Sequence, residues 1–135
     1  AFRVFTFDPQ HFPDPAGLNA YLHAQGVRAV WMIDPGVAAA PGYPVYASGT
    51  DRDVWIHTSE AEPAPIRGTV WPGPCVFPDY TRANCRRWWA DLYTEFLATG
   101  VDGVWNDMNE PAVFDDPSHT LPVGAWHRAD EVLGG

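Results

Sequence analysis

Cysteine, basic side chains and long apolar runs are scarce in this chain of 135 residues. Two cysteines, Cys75 and Cys85, are too few for a disulfide-built scaffold or a four-cysteine metal site, and they leave the redox compartment undetermined. Eight basic residues against 17 acidic ones give a formal net charge of −9, which disfavours nucleic acid and anionic membrane surfaces as partners. No apolar run approaches the roughly 18 residues that span a bilayer, so we expect no membrane partner.

Motifs for nucleotide and metal binding are also missing. The sequence has neither a Gly-x-Gly-x-x-Gly fingerprint nor a Walker loop, which counts against a nucleotide-binding sheet. The five histidines show no His-x-x-x-His or comparable ligand spacing. We therefore expect neither a metal site nor another cofactor.

Aromatic residues, by contrast, are abundant. Seven Trp and five Tyr belong to an aromatic content of 14%, and the apolar content of 46% suffices for one modest core. Flat aromatic faces are surfaces on which sugar rings stack, although large aromatics are also ordinary core residues. Composition leaves both roles open and predicts one domain or part of one.

The first half of the chain begins with a helix signal followed by a strand signal. Asp14 and Pro15 predict the start of a helix, and Gly26 predicts its end. The apolar run at residues 27–33 is typical of a buried strand. A short helix that leads into an apolar strand is half of a βαβ unit.

A second unit of the same kind follows later in the chain. Thr81 is expected to cap a helix that ends at Gly100, and an apolar run at residues 101–105 predicts another strand. The inner face of this helix is expected to carry Trp88, Leu92 and Phe96. This repetition is typical of a parallel α/β fold, and a (β/α)8 barrel fits best. Because a complete barrel needs at least about 200 residues, we expect two to three of its strands here.

Residues 38–80 lie between the two units, are rich in proline and show little periodicity. The segment is too long for an ordinary connection inside a compact domain. Excursions of this kind are usually functional or disordered. Its aromatic residues favour an ordered segment, because disordered chains are poor in them.

Polar side chains are concentrated directly behind the second predicted strand. Residues 103–111 read Gly-Val-Trp-Asn-Asp-Met-Asn-Glu-Pro. Ionised carboxylates beside an apolar run carry a desolvation cost that a structural strand avoids. Asp34 stands behind the first predicted strand, where a barrel enzyme carries site residues. The alternatives are a strand that ends in a polar loop and, for Asp34, an Asx-turn before Pro-Gly.

The hexapeptide Trp-Asn-Asp-Met-Asn-Glu at residues 105–110 resembles the signature of glycoside hydrolase family 31, the α-glucosidase family. Other stretches resemble the same family in the same order: Phe-Thr-Phe-Asp at 5–8, Phe-Pro-Asp-Pro at 12–15, Met-Ile-Asp-Pro-Gly at 32–36 and Val-Trp-Pro-Gly at 70–73. The resemblance implies that residues 1–135 are part of a catalytic (β/α)8 TIM barrel, about strands 2 to 4. It also implies that residues 38–80 form a loop-rich subdomain inserted after a barrel strand.

The resemblance implies roles for individual residues. Asp107 would be the catalytic nucleophile, and Glu110 would hydrogen-bond within the site and keep that nucleophile oriented. The implied wall around the terminal glucose consists of Met32, Asp34, Trp71, Trp105 and Met108. The family's general acid/base is an Asp on a later strand, beyond this chain. The residues alone indicate a different role for Trp71, as an anchor of the loop that contains Pro-Gly.

The implied activity is that of a retaining glycoside hydrolase, foremost an α-glucosidase that releases terminal α-linked glucose through a covalent glycosyl-enzyme on Asp107. Its partner would be an oligosaccharide or another α-glucoside. A transglycosylase or α-xylosidase of the same family, and a non-catalytic carbohydrate-binding fragment, remain as alternatives. Because the remainder of the barrel is needed to complete the site, we expect the 135 residues alone to be inactive.

Overall fold

A computed structural model describes residues 2–130 of the chain. This part contains three helices and five strands. In chain order they are α1 (Pro15–Ala24), β1 (Val30–Ile33), β2 (Val37–Ala38), α2 (Pro44–Asp51), β3 (Gly68–Val70), β4 (Gly73–Val76), α3 (Ala83–Leu97) and β5 (Gly103–Asn106). None of the described helices is long and apolar enough to span a membrane.

Strands β1 and β5 lie side by side and run in the same direction. Val30 is opposite Gly103, and Ile33 is opposite Asn106. Parallel neighbours require a long crossover, which here contains α2, the antiparallel strands and α3. The prediction that both apolar runs form strands of one parallel sheet is confirmed, although each strand is shorter than its run.

The parallel pair has one covered face and one open face. Ile33 belongs to the main core, and Val104 packs against that core from the neighbouring strand. Val30, Met32 and Trp105 lie on the other face and are 62%, 59% and 62% exposed. Because side chains alternate along a strand, the open face continues to the residues that follow each strand at its carboxyl end.

Helix α1 begins and ends as the sequence predicts. The Asp14 carboxylate accepts a hydrogen bond from a backbone amide of the first turn at 2.8 Å, and Gly26 follows the helix with φ +74°. Asn19 is fully buried inside the helix. Its amide donates to the Thr99 carbonyl at 2.9 Å and its oxygen accepts the Trp31 indole N–H at 3.1 Å. This side chain therefore fixes α1 against β1 and the end of α3.

One carboxylate joins the starts of the two parallel strands. Asp102 precedes β5, and its carboxylate accepts the Ala29 amide at 2.8 Å and the Arg28 guanidinium at 2.8 Å. Nε2 of His23 lies 2.6 Å from the same carboxylate. The bond from Ala29, followed by those from His23 and Arg28, lowers the pKa of Asp102 far below its ordinary value. We call these contacts the Asp102 clamp.

Helix α3 covers the closed face of the parallel pair. Trp88 and Phe96 are buried, and Leu92 packs beside them, which confirms the predicted inner face. The predicted cap at Thr81 was wrong, because Arg82 is the N-cap residue and the Asp130 carboxylate accepts the hydrogen bond of the first helical amide, that of Ala83. The Thr81 hydroxyl instead donates to the buried Asp79 carboxylate at 2.6 Å, and a charged acceptor of this kind binds a hydroxyl strongly.

Residues 38–80 are ordered, as their aromatic content predicts. The strands of this region form an antiparallel sheet in the order β2, β4, β3. Trp55 packs edge-on against Trp88 of α3 with ring centroids 5.4 Å apart. A second core combines residues of the segment with residues beyond β5: Ile56, Ile66, Val70, Cys75, Phe77, Val113 and Leu121. The segment is thus packed both against α3 and against the chain that follows β5.

The two cysteines are separate core residues. Cys75 and Cys85 are both buried and neither forms a disulfide. Burial raises the pKa of each thiol to about 12. A thiol with this pKa stays protonated at neutral pH and packs as a small apolar group.

Candidate active site

The carboxyl ends of β1 and β5 bring two aspartates together. Asp34 follows β1 and Asp107 follows β5, and both side chains are half-buried. The register that pairs Ile33 with Asn106 continues one step further, because the Asp107 amide donates to the Ile33 carbonyl at 3.2 Å. The two carboxylates therefore stand on adjacent strand ends. Within residues 2–130, no group of three His, Cys, Asp or Glu side chains could hold a metal ion.

Asp34 has an acceptor atom without a donor. Its Oδ1 is buried and has no hydrogen-bond partner among the described residues. Burial raises the pKa of this carboxyl above its ordinary value, and the negative charge of Asp107 raises it further. A buried oxygen normally has a hydrogen-bond partner, so this partnerless acceptor marks Asp34 as a candidate functional residue.

A tight turn fixes the direction of Asp107. Its Oδ1 accepts a hydrogen bond from the amide of Met108 at 2.9 Å. Met108 has φ 58°, in the left-handed region that side chains other than glycine rarely adopt. The strand therefore ends abruptly at the carboxylate. Backbone conformations of this kind are concentrated at functional sites.

The residue before Asp107 is held on two sides. Tyr93 of α3 donates its hydroxyl to Asn106 Oδ1 at 2.7 Å, and Asn109 donates its side-chain amide to the Asn106 carbonyl at 2.9 Å. Tyr93 was not predicted as a site residue, because a tyrosine beside the apolar stripe of a helix has the pattern of a core residue. The only signal in the sequence was the pair of asparagines that flanks Asp107 and Met108.

The predicted wall residues on the parallel strands lie on the open face. Met32 is opposite Trp105 in the register, and both side chains are largely exposed. Asp34 and Asp107 come two residues later on the same two strands, so alternation directs them to this face. Met108 is half-buried in the turn behind them. The structure thus brings apolar side chains and the carboxylate pair to one end of one face.

Trp71 occupies a different element. It lies in the two-residue turn between β3 and β4 and is 56% exposed. Its ring is edge-on to Phe114 at 5.1 Å between centroids and tilted against Phe2 at 6.3 Å. Phe114 belongs to the loop that begins at Asp107. These contacts attach Trp71 to that loop, and they leave much of the indole free.

Glu110 forms no hydrogen bond with Asp34 or Asp107 in the described part of the chain. Its side chain is exposed, and no hydrogen bond from residues 2–130 reaches its carboxylate. It lines a cavity of about 440 Å³ together with Tyr80, Asn109 and His127. The described residues therefore show no bond through which Glu110 orients Asp107.

The layout of two carboxylates behind parallel strands can be compared with known proteins. The family model of the glycosyl hydrolases family 31 TIM-barrel domain matches residues 1–132. The chain belongs to glycosyl hydrolase family 31. The family inferred from residues 105–110 is confirmed, and so is the prediction that the chain forms part of a TIM barrel.

Curated relatives of this family 31 chain carry the name α-glucosidase. Alpha-glucosidase 2 of Bacillus thermoamyloliquefaciens is 40% identical over 129 residues, which cover 96% of this chain and 16% of the relative. The alpha-glucosidase of Saccharolobus solfataricus is 38% identical over 129 residues, which cover 91% of this chain and 18% of the relative. The chain therefore spans less than a fifth of either relative's length.

Solved structures of the family contain the same fold. The glucosidase II alpha subunit in its DNJ-bound form superposes with a TM-score of 0.84 at 34% identity, over 93% of this chain and 14% of that one. A family 31 alpha-glucosidase from Bacteroides thetaiotaomicron superposes with a TM-score of 0.78 at 46% identity, over 93% of this chain and 21% of that one.

Proposed function

We propose that the complete protein containing this chain is a retaining α-glucosidase that releases terminal α-linked glucose. The observation that carries the proposal is Asp107, fixed by a strained turn at the end of a parallel strand and adjacent to Asp34. The relatives named α-glucosidase support the substrate class. Oligosaccharides and other α-glucosides are the proposed partners.

The proposed chemistry has two displacements at the anomeric carbon. In the first, a carboxylate oxygen of Asp107 forms a bond to that carbon while the glycosidic C–O bond breaks, and the departing oxygen takes a proton from an acid/base outside this chain. In the second, water attacks the same carbon, the acid/base accepts a proton of that water, and the bond to Asp107 breaks. Glucose is released with its anomeric configuration retained.

Asp34 is the proposed sugar-binding carboxylate. The half-buried carboxylate can accept a hydroxyl hydrogen of the terminal glucose, and its partnerless Oδ1 supports a functional role for this residue. A neutral hydroxyl satisfies the oxygen without adding charge, which suits a site where Asp107 already carries one. Asp34 therefore fixes the sugar next to the nucleophile without competing for the anomeric carbon.

The apolar part of the proposed wall supplies the remaining contacts. Met32 and Trp105 precede the carboxylate pair on the open face, Met108 follows Asp107 in the turn, and Trp71 contributes an exposed indole face. Sugar rings stack on such faces through their C–H groups. Glu110 keeps its proposed orienting role, through partners that the described residues do not supply.

We also propose how the chain fits into the complete barrel. Strands β1 and β5 would belong to about strands 2 to 4 of the ring, within a partial catalytic domain at residues 1–135. Residues 38–80 would be the subdomain inserted after a barrel strand. The antiparallel sheet and α2 in that segment support the proposal, because neither belongs to a regular βα repeat.

Mechanism-based labelling of the full-length protein tests the nucleophile. A fluoroglucoside inactivator should leave one sugar on the peptide that contains Asp107, as read by mass spectrometry. The Asp107→Ala protein should take up no label, and Asp116→Asn, a change in a carboxylate that binds only its own turn, should take up as much as the wild type. Turnover with the label on Glu110 instead would reject the assignment.

A further inference from the structure

A loop from another part of the chain closes the free edge of the antiparallel sheet. Strand β3 pairs with β4 on one side only, and an unpaired edge leaves amides and carbonyls without partners. On the free side, the Thr69 carbonyl accepts the Phe114 amide at 2.8 Å, and the Thr69 amide donates to Asp115 Oδ1 at 2.8 Å. The loop behind Asp107 thus substitutes for a further strand.

Asp115 binds the same threonine a second time. The Thr69 hydroxyl donates to Asp115 Oδ2 at 2.6 Å, so both carboxylate oxygens engage one residue. The hydroxyl bond, followed by the amide bond, lowers the pKa of the Asp115 carboxyl below its ordinary value. The carboxylate is therefore ionised at neutral pH, and its bonds are charge-assisted. We call these two bonds the Thr69–Asp115 latch.

Packing on both sides of the latch also joins the β3–β4 hairpin to residues 113–115. Val113 is buried, and a Cβ on Gly68 would lie 2.7 Å from its Cγ1, so the strand and the loop are in close contact there. On the turn side, the Trp71 ring is edge-on to Phe114. Residues 113–115 therefore each contact the hairpin formed by β3 and β4.

We propose that Thr69 and Asp115 are positioning residues for Trp71 and that the latch determines how tightly the site holds the terminal sugar. The inference rests on the proposed function, in which the Trp71 indole forms part of the sugar wall. Trp71 stands at the tip of a two-residue turn, so its direction depends on the strand beneath it and on Phe114 beside it. The latch holds strand β3 and Phe114 in place, because it ties Thr69 of that strand to Asp115, the neighbour of Phe114. Both Phe114 and Asp115 belong to the loop that starts at Asp107.

A double-mutant cycle in the full-length protein tests the latch. Asp115→Asn should raise KM for a nitrophenyl α-glucoside about tenfold, as the loss of a charge-assisted hydrogen bond warrants, while kcat changes less than about twofold. Trp71→Ala should raise KM at least as much. In the Trp71→Ala background, Asp115→Asn should add less than about a factor of two, because both changes act through one side chain.

Threonine variants separate positioning from folding. Thr69→Ser keeps both donors and should retain the wild-type KM, whereas Thr69→Val loses the hydroxyl and should shift KM in the same direction as Asp115→Asn. Asp116→Asn is the matched control, since within residues 2–130 the Asp116 carboxylate binds Ser118 alone, through its amide at 2.8 Å and its hydroxyl at 2.5 Å. This control should leave KM unchanged.

Two results would overturn the proposed role of the latch. One is an unchanged KM in Asp115→Asn, and the other is additive effects of Asp115→Asn and Trp71→Ala on KM. The same cycle can be measured as Kd for 1-deoxynojirimycin by calorimetry, which needs no turnover. Turnover without a sugar label on Asp107 would reject the proposed nucleophile and leave the cycle readable. The two failures are therefore distinguishable.

Discussion

Replacing Asp79 with asparagine is expected to destabilise the junction of three parts of the chain. The Asp79 carboxylate is fully buried between β4 and α3. It accepts the Thr81 hydroxyl at 2.6 Å and the Arg128 amide at 2.7 Å, and His127 Nδ1 lies 3.2 Å away. Burial alone would raise the pKa of this carboxyl, but the bonds from Thr81, Arg128 and His127 hold it below its ordinary value.

The size of the expected stability loss follows from the donors that surround the Asp79 side chain. Asparagine keeps the shape and one oxygen of Asp79, but it turns an NH2 group toward either Thr81 or Arg128. One charge-assisted bond is lost and one buried donor is left unpaired, each worth about 1.5 to 3 kcal/mol. Together they predict that the free energy of unfolding falls by about 3 to 6 kcal/mol at pH 7.

The stability lost in Asp79→Asn is expected to be smaller at low pH than at neutral pH. Because the folded pKa of Asp79 lies below its ordinary value of 3.8, the ionised carboxylate stabilises the fold above that value. This contribution is lost as the pH falls through the folded pKa. The difference between Asp79→Asn and the wild type should therefore be largest at neutral pH and should shrink in acid.

Urea unfolding of the full-length protein measures the change, and hydrogen exchange at residues 126–128 gives a local readout. Those residues should exchange faster in Asp79→Asn, because the Arg128 amide loses its carboxylate acceptor. Asp116→Asn, which alters a half-buried carboxylate bound to Ser118, should change both measurements far less than Asp79→Asn. Wild-type stability together with unchanged exchange at residues 126–128 would refute the reasoning.

Two further outcomes are expected from the full-length protein. Tyr93→Phe removes the 2.7 Å bond to Asn106 and should lower kcat about tenfold, because the residue before Asp107 is then held less firmly. The free energy of unfolding should fall by at most about 1.5 kcal/mol. An unchanged kcat would argue against a role of Tyr93 in holding Asn106. Gly49→Ala places a Cβ 2.4 Å from Cζ2 of Trp55 and should cost about 1 to 3 kcal/mol in urea unfolding. A wild-type midpoint would show that the Trp55 ring can move aside.

The elements that the sequence predicted correctly depend on a few neighbouring residues. Asp14 caps α1 because its carboxylate reaches an amide of the same turn, and Gly26 ends the helix because it takes a positive φ. The buried face of α3 follows from the spacing of its own side chains. Signals of this kind are complete within one turn or one strand, so they can be read without knowledge of the fold.

Contacts between distant segments could not be derived from local patterns. The Thr81 cap failed because Asp79 is buried, and burial depends on residues near Arg128. Tyr93 was missed because its partner Asn106 comes from the neighbouring strand. The bond between Thr69 and Asp115 likewise joins segments that the sequence separates widely.

The candidate site was predictable in part. Asp34 and Asp107 were singled out because each follows an apolar run, and the register then brought them to adjacent positions. Their catalytic and binding roles, like those of Trp71 and Glu110, remain predictions that depend on the resemblance. The sequence contained no local feature that fixed the register, since parallel partners are joined by a long crossover and lie far apart in the chain.

The Asp102 clamp lies at the end of the strands opposite to Asp34 and Asp107, and it has a consequence for how those two residues meet. Strands of four residues at about 3.3 Å per residue carry an alignment made at their starts to their carboxyl ends about 13 Å away. A slip of one residue would leave Asp107 beside Pro35 or Ile33 and direct it away from Asp34. Contacts of a surface carboxylate at one end of the strands thus support the register that brings Asp34 and Asp107 side by side at the other.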